Sequence, residues 1–195
     1  MIVLMKKLVV AIALFVGAVR GQYSGWRDYG GSADSSQYSS LQQVNKGNVG
    51  TLKVAWRFAT GDGKKYSFNP IVIDGVMYVM GRNSSILALE ATTGKEIWAY
   101  VQPADTQVIT NRGINYWESK DGMERRLLFA SNHALRALDA RTGKLIETFG
   151  VRGSVDLKEG LDRDPKTIRL VQSTTPGRVF EDLIILGSAT NQGYG

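Results

Sequence analysis

The chain of 195 residues contains no cysteine. Neither a disulfide bond nor a lipid-modified cysteine is therefore possible, although disulfides are common in exported proteins. The fold must rely on packing and hydrogen bonds alone.

Histidine is nearly absent. His133 is the single histidine, and it stands between Asn132 and Ala134 in a predicted hairpin loop, where we expect it to be solvated. A Ser-His-Asp triad and a histidine-based zinc site are therefore not indicated. No glycine-rich loop follows a strand and opens a helix, so a nucleotide site is not indicated either.

Basic clusters and long apolar runs are also missing. The formal charge is +6, but Lys6, Lys7 and Arg20 lie in the first 21 residues, which carry no acid. No run of Lys and Arg interleaved with aromatic residues is present, so a nucleic-acid partner is not predicted.

The first 21 residues have the pattern of an export signal. Lys6-Lys7 precede the apolar run 8–19, and small residues around Arg20 offer a cleavage site. Twelve apolar residues fall short of the roughly 20 needed to cross a bilayer. We predict a signal peptide over 1–21 and a periplasmic location. A retained anchor, with inner-membrane association, is the alternative.

An internal repeat organises the remaining chain. Residues 88–98 (ALEATTGKEIW) return as residues 137–147 (ALDARTGKLIE), 49 positions later, and residues 78–81 align with 127–130. Gly94 and Gly143 stand where a tight turn needs positive φ. Each unit is predicted to contain a strand, a loop, a second strand, the turn and a third strand. This order of elements is typical of a propeller blade.

The fold class is therefore predicted to be all-β, a partial β-propeller comprising the first two to three blades over residues 22–195. Closure of a propeller takes about 4–8 blades, so we expect the ring to be incomplete at the C-terminus. Further expectations are a half-buried strand over 52–58, a hairpin over 70–80 turning at Asp74-Gly75, a turn over 117–122, a charged loop with room for a short helix over 150–167, and third-blade strands over 168–171 and 179–186.

Several ordered motifs resemble those of the pyrroloquinoline quinone-dependent dehydrogenases. The resemblance lies in residues 29–31 (YGG), 37–39 (QYS) and 111–113 (NRG), and in the two turn repeats, which look like the family's tryptophan-docking repeat. The resemblance implies that Trp98 docks onto the neighbouring blade, whereas the second copy has Glu147 at this position. It implies an eight-bladed propeller with the quinone and calcium as cofactors. Residues 149–150 and 155–157 are most similar to the sugar and polyol branch. The adjacent cysteines of the alcohol branch are missing, and Trp117 replaces a histidine of membrane glucose dehydrogenases.

The resemblance also implies site residues. Arg112 matches the arginine that binds a quinone carboxylate, and its planar fork suits bidentate pairing. Asn111 precedes it. Ser173 and Thr174 match hydroxyl donors, although an ordinary turn before Pro176 is the alternative, and Ser67 occupies the place of a cofactor-contacting acid. Residues 187–192 match a segment that approaches the quinone and sometimes the calcium, but they offer only amides, so metal ligands are left unassigned. The catalytic Asp is expected beyond residue 195.

The implied reaction is oxidation of a sugar, polyol or alcohol hydroxyl, with electrons passed to a quinone or cytochrome acceptor. Without the catalytic Asp, we do not expect this chain to be active alone. The alternative function is a non-catalytic propeller that shares the turn repeat and acts as a protein-interaction scaffold.

Overall fold

The computed structural model describes residues 25–103, 106, 110–168, 171 and 174–187, and this part of the chain is all-β. Within it, ten strands form two four-stranded antiparallel sheets and one hairpin. The predicted signal peptide, residues 1–21, lies outside the described residues. Among the residues that are described, no helix is long and apolar enough to span a bilayer.

The first sheet contains the first copy of the repeat. Its strands β1 (Ile71–Ile73), β2 (Val76–Met80), β3 (Ile86–Glu90) and β4 (Glu96–Tyr100) lie side by side in chain order. Asp74 and Gly75 join β1 to β2 with φ of 50° and 81°, the two positive values that a type I′ turn requires. The predicted hairpin is confirmed.

The second sheet contains the second copy and corrects two predictions. Its strands are β5 (Asn115–Glu118), β6 (Arg125–Ser131), β7 (Ala134–Asp139) and β8 (Ser154–Asp156). The turn predicted over 117–122 begins later, because Trp117 and Glu118 extend β5 beside β6. The third strand predicted after the turn of this unit is reduced to one bridge between Leu138 and Leu145, and β8 instead pairs with β7.

The third unit is a hairpin. Strands β9 (Arg178–Phe180) and β10 (Leu183–Ile185) pair antiparallel, so the prediction of a single strand over 179–186 is wrong. The strand predicted over 168–171 falls partly outside the described residues, and its ends, Ile168 and Val171, are not in a strand. The charged loop does contain one short 3-10 helix, Pro165–Thr167.

Residues 52–58 do not form the predicted strand. This segment pairs with no strand in the described part of the chain, and Val54 remains 65% exposed. Trp56 is its anchor: the indole Nε1 donates a hydrogen bond to the Ala91 carbonyl at 3.1 Å. A Cβ placed on Gly94 would lie 2.4 Å from Cε3 of the same ring, so the indole covers the first turn directly.

Trp98 makes the same contact one blade further on, as the resemblance implied. Its Nε1 donates to the Ala140 carbonyl at 3.2 Å, and a Cβ on Gly143 would lie 2.4 Å from Cε3 of the ring. Tyr78 donates its hydroxyl to the same carbonyl at 3.1 Å. The last strand of the first sheet is thereby fastened to the turn of the second.

The main core lies between the two sheets. Alternate side chains of β6 face opposite ways, so this strand contributes to two clusters. Leu127 and Phe129 face the first sheet, whereas Leu128 belongs to a smaller cluster beside the third hairpin. The buried members of the main core are Ile71, Ile73, Tyr78, Ile86, Ala88, Ile114, Tyr116, Leu127, Phe129, Leu138 and Ala140.

The double hydrogen bond on Ala140 gives a stability prediction. Replacing Tyr78 with phenylalanine keeps the ring in the core and removes one buried donor, while Trp98 still satisfies the carbonyl. We expect the free energy of unfolding to fall by about 1 kcal/mol, the usual net worth of one such bond. Urea unfolding followed by tryptophan fluorescence measures it, and an unchanged unfolding midpoint would contradict the role given to the hydroxyl.

Candidate functional site

The turn at residues 111–113 is held between the first and third units by its backbone. Asn69 N donates to the Arg112 carbonyl at 2.8 Å, and Arg112 N donates to the Thr174 carbonyl at 3.2 Å. A Cβ on the buried Gly113 would lie 2.9 Å from the Tyr29 ring. The turn therefore has its backbone fixed and its Arg112 side chain exposed.

This turn lies on the wall of a cavity of about 1050 Å³. Four of the five predicted cofactor-binding residues line it: Ser67, Asn111, Arg112 and Thr174. Ser173, the fifth, lies outside the described residues. Residues separated by more than 100 positions are thus brought together at one site. Because they are so far apart in the sequence, only their motifs could have indicated that they share a site.

The cavity also has lining residues that the sequence did not indicate. Lys64 and Lys65 come from the loop before β1, and Gln102 follows β4. A lysine pair in a loop has the pattern of an ordinary solvated surface. The described residues that line it are Lys64, Lys65, Tyr66, Ser67, Met80, Asn83, Ser84, Val101, Gln102, Pro103, Thr106, Asn111, Arg112 and Thr174.

The Tyr66 hydroxyl is hydrogen-bonded to a neighbouring carboxylate. Its hydroxyl donates a short hydrogen bond to Asp62. Burial, followed by this hydrogen bond, raises the pKa of Tyr66 to about 12, and the same bond is the main reason that the pKa of Asp62 is lowered. At neutral pH, Asp62 is ionised and Tyr66 is protonated, so the phenol is poorly suited to releasing a proton.

Gln102 offers an unused donor. The side chain is 7% exposed, and its Oε1 accepts a hydrogen bond from the Ser131 hydroxyl at 3.4 Å. Its Nε2 is buried and has no acceptor among the described residues. A buried amide N–H without an acceptor costs free energy.

The described wall of the cavity does not fit calcium. It contains no Asp or Glu, and no group of three or more His, Cys, Asp or Glu side chains that could hold a metal occurs in the described part of the chain. Calcium prefers carboxylate and carbonyl oxygens. Residues 188–192, which the resemblance placed near the metal, lie outside the described residues.

The structure places His133 and Trp117 differently from what the sequence indicated. His133, expected to be solvated, is half-buried between β6 and β7, because Leu157 N donates to its carbonyl and brings the β8 end over it. Trp117 does not line the cavity; its indole donates to the Glu181 carbonyl at 3.0 Å and stacks with Arg126. Its identity therefore gives no evidence about the substrate.

Comparison with known proteins decides the family. The family described as glucose/ethanol/alcohol dehydrogenase, β-propeller domain, matches residues 26–195. The chain belongs to this family of PQQ-dependent dehydrogenases. The predicted family and the all-β partial propeller are thereby confirmed.

Individual relatives agree. The chain is 32% identical to the quinoprotein glucose dehydrogenase of Escherichia coli (strain K12), over 85% of this chain and 24% of the relative. It is 36% identical to the dehydrogenase subunit of the quinone alcohol dehydrogenase of Gluconacetobacter polyoxogenes, over 62% of this chain and 17% of the relative. The chain thus spans about a quarter or less of the length of these relatives.

One solved structure gives the same fold. The quinohemoprotein alcohol dehydrogenase from Comamonas testosteroni superposes with a TM-score of 0.59 at 28% identity, over 73% of this chain and 21% of that one.

Proposed function

We propose that this chain supplies part of the pyrroloquinoline quinone site of a dehydrogenase that oxidises a sugar, polyol or alcohol hydroxyl. One observation carries the proposal: Ser67, Asn111, Arg112 and Thr174 line a single cavity in a chain of this family. The glucose and alcohol dehydrogenases among its relatives support the class of substrate.

The residues of the cavity fit the quinone. The described wall around Arg112 contains no Asp or Glu, so its guanidinium can pair bidentately with a ligand carboxylate. Thr174 and Ser67 offer hydroxyls, and Asn111 offers an amide, for further hydrogen bonds. When bound, the quinone supplies the two-electron acceptor for the alcohol. The contribution of this chain is to bind and orient it; no catalytic base is assigned to it.

Location and electron acceptor are parts of the same proposal. We infer that residues 1–21 direct export to the periplasm, and that electrons pass to a quinone or cytochrome. The charged and apolar pattern of residues 1–21 supports export. A reporter enzyme that is active only outside the cytoplasm, fused after residue 21, should be active with this leader and inactive when Lys6 and Lys7 are both replaced by glutamate.

Quinone binding tests the central proposal. The chain is titrated with pyrroloquinoline quinone, and tryptophan fluorescence and quinone absorbance are followed. We expect saturable binding of one quinone per chain, displaced by no simple sugar. Absence of saturable binding by a chain whose circular dichroism shows intact β-structure would contradict the proposal. Oxidation of glucose, sorbitol or ethanol with an artificial dye is then measured on the longest polypeptide that the gene encodes.

A further inference from the structure

The quinone cavity has a surplus of positive charge. Its described wall carries Lys64, Lys65 and Arg112, and it carries no Asp or Glu. The carboxylate that interacts with Lys64 is Asp62, and this group is already occupied by hydrogen bonds from Thr60 and Tyr66. Among the described residues, three cations thus line a space whose wall carries no anion.

A second cavity in the same chain shows the opposite pattern. The space of about 430 Å³ beside β5 is lined by Arg27, Asp28, Glu118 and Lys120, together with three uncharged residues. There Arg27 pairs with Glu118 at 2.6 Å. Because that cavity balances its own charges, an unbalanced wall is not a general feature of clefts in this protein.

The surplus of positive charge on the cavity wall indicates a ligand with several carboxylates. One guanidinium satisfies one carboxylate, and each lysine ammonium adds three donors without a fixed plane. Gln102 lies on the same wall, and its buried Nε2 has no acceptor among the described residues. Pyrroloquinoline quinone has three carboxylates, so two remain after Arg112 has bound one.

We propose that Lys64 and Lys65 bind a carboxylate of the quinone other than the one bound by Arg112. This inference rests on the proposed function, because it assumes that the quinone occupies this cavity. Both lysines are exposed on the loop before β1 and line the cavity. They act as a flexible cationic edge, whereas Arg112 lies on a fixed turn.

The test compares two double variants with the same loss of charge. K64A/K65A removes the cavity lysines, and K46A/K53A removes two exposed lysines that do not line it. Quinone is titrated into each chain at low salt. We expect the dissociation constant to rise about tenfold for K64A/K65A, as for two partly screened ion pairs, and to stay within twofold for K46A/K53A. The difference should shrink at 0.5 M sodium chloride.

The outcomes separate this inference from the proposed function. Tight binding by the unmodified chain with equal affinity in K64A/K65A would overturn the lysine contact and leave the quinone site standing. No binding by the folded unmodified chain would overturn both. Normal quinone binding in K64A/K65A, with loss of binding only for a carboxylated polyol such as gluconate, would also overturn it, because the lysines would then serve the substrate.

Discussion

Replacing Gly143 with alanine is expected to lower the free energy of unfolding by about 3 kcal/mol. Two costs add: positive φ costs an L-residue about 1 kcal/mol, and forcing a methyl group into a packed contact costs about 2. Gly143 has φ of 70°, and its added Cβ would lie 2.4 Å from Cε3 of Trp98. The ring would have to leave the turn, and its hydrogen bond to Ala140 would be lost.

Gly122 provides the matched control. It has the same φ of 70°, but the nearest atom to its added Cβ is Glu118 Oε1 at 3.6 Å, an ordinary contact. Gly122→Ala should therefore cost only about 1 kcal/mol, the backbone part of the effect. Urea unfolding of both variants measures the difference, and equal losses would show that the indole contact contributes nothing.

The Trp98→Ala background isolates the contact further. If the clash with the ring is the larger cost, Gly143→Ala should cost no more in that background than Gly122→Ala does in the unmodified chain. Such non-additivity is the measure of a direct interaction between two residues. Additive losses would place the cost elsewhere in the turn.

The repeat was predictable because a turn constrains its residues locally. A tight corner needs positive φ at one position and capping oxygens nearby, and these requirements recur at Gly94 and Gly143 whatever the neighbouring blades are. Docking of Trp98 on the next blade followed from the resemblance. Asp74-Gly75 was predictable for the same local reason.

The prediction of a strand over 52–58 is wrong because alternation of apolar and polar residues predicts an extended segment but does not identify a strand with which it pairs. No described strand lies beside it, so it remains unpaired. Its actual role was signalled in another way: Lys53 precedes Trp56 by three positions, as Lys95 precedes Trp98. That shared spacing would have indicated that Trp56 closes a turn motif and covers Gly94.

The second copy of the repeat shows the limit of alignment. Residues 145–147 align with a strand, yet Glu147 replaces the tryptophan that would fasten it to the next turn. Instead, the Glu147 carbonyl accepts a hydrogen bond from Gly153 N at 3.0 Å, and the returning chain places β8 beside β7. In this sheet a different segment, β8, supplies the fourth strand.

At the candidate site, a sequence motif indicates some of the residues that line the cavity but not the rest of its wall. The NRG motif indicated Asn111 and Arg112. Lys64, Lys65 and Gln102 belong to no motif, and they line the same cavity as Arg112 only in the folded chain. Charge at a cavity wall is a property of the assembled fold, so it could be read only from the structure.

Replacing Arg112 with alanine is expected to weaken quinone binding roughly 10- to 100-fold, the worth of one bidentate charge-assisted pair. Its backbone bonds to Asn69 and Thr174 do not involve the side chain, so the fold should be retained. Arg112→Lys should recover only part of the affinity, because an ammonium cannot form the paired contact. Fluorescence titration with the quinone measures all three chains.

Arg57→Ala is the control for this change, because it removes one exposed arginine that does not line the cavity. Its quinone affinity should match that of the unmodified chain within twofold. Equal affinity in Arg112→Ala would remove this residue from the site. Equal losses in both variants would mean that the quinone responds only to net charge, since a general electrostatic effect does not distinguish a fixed guanidinium at the cavity wall from one in an exposed segment.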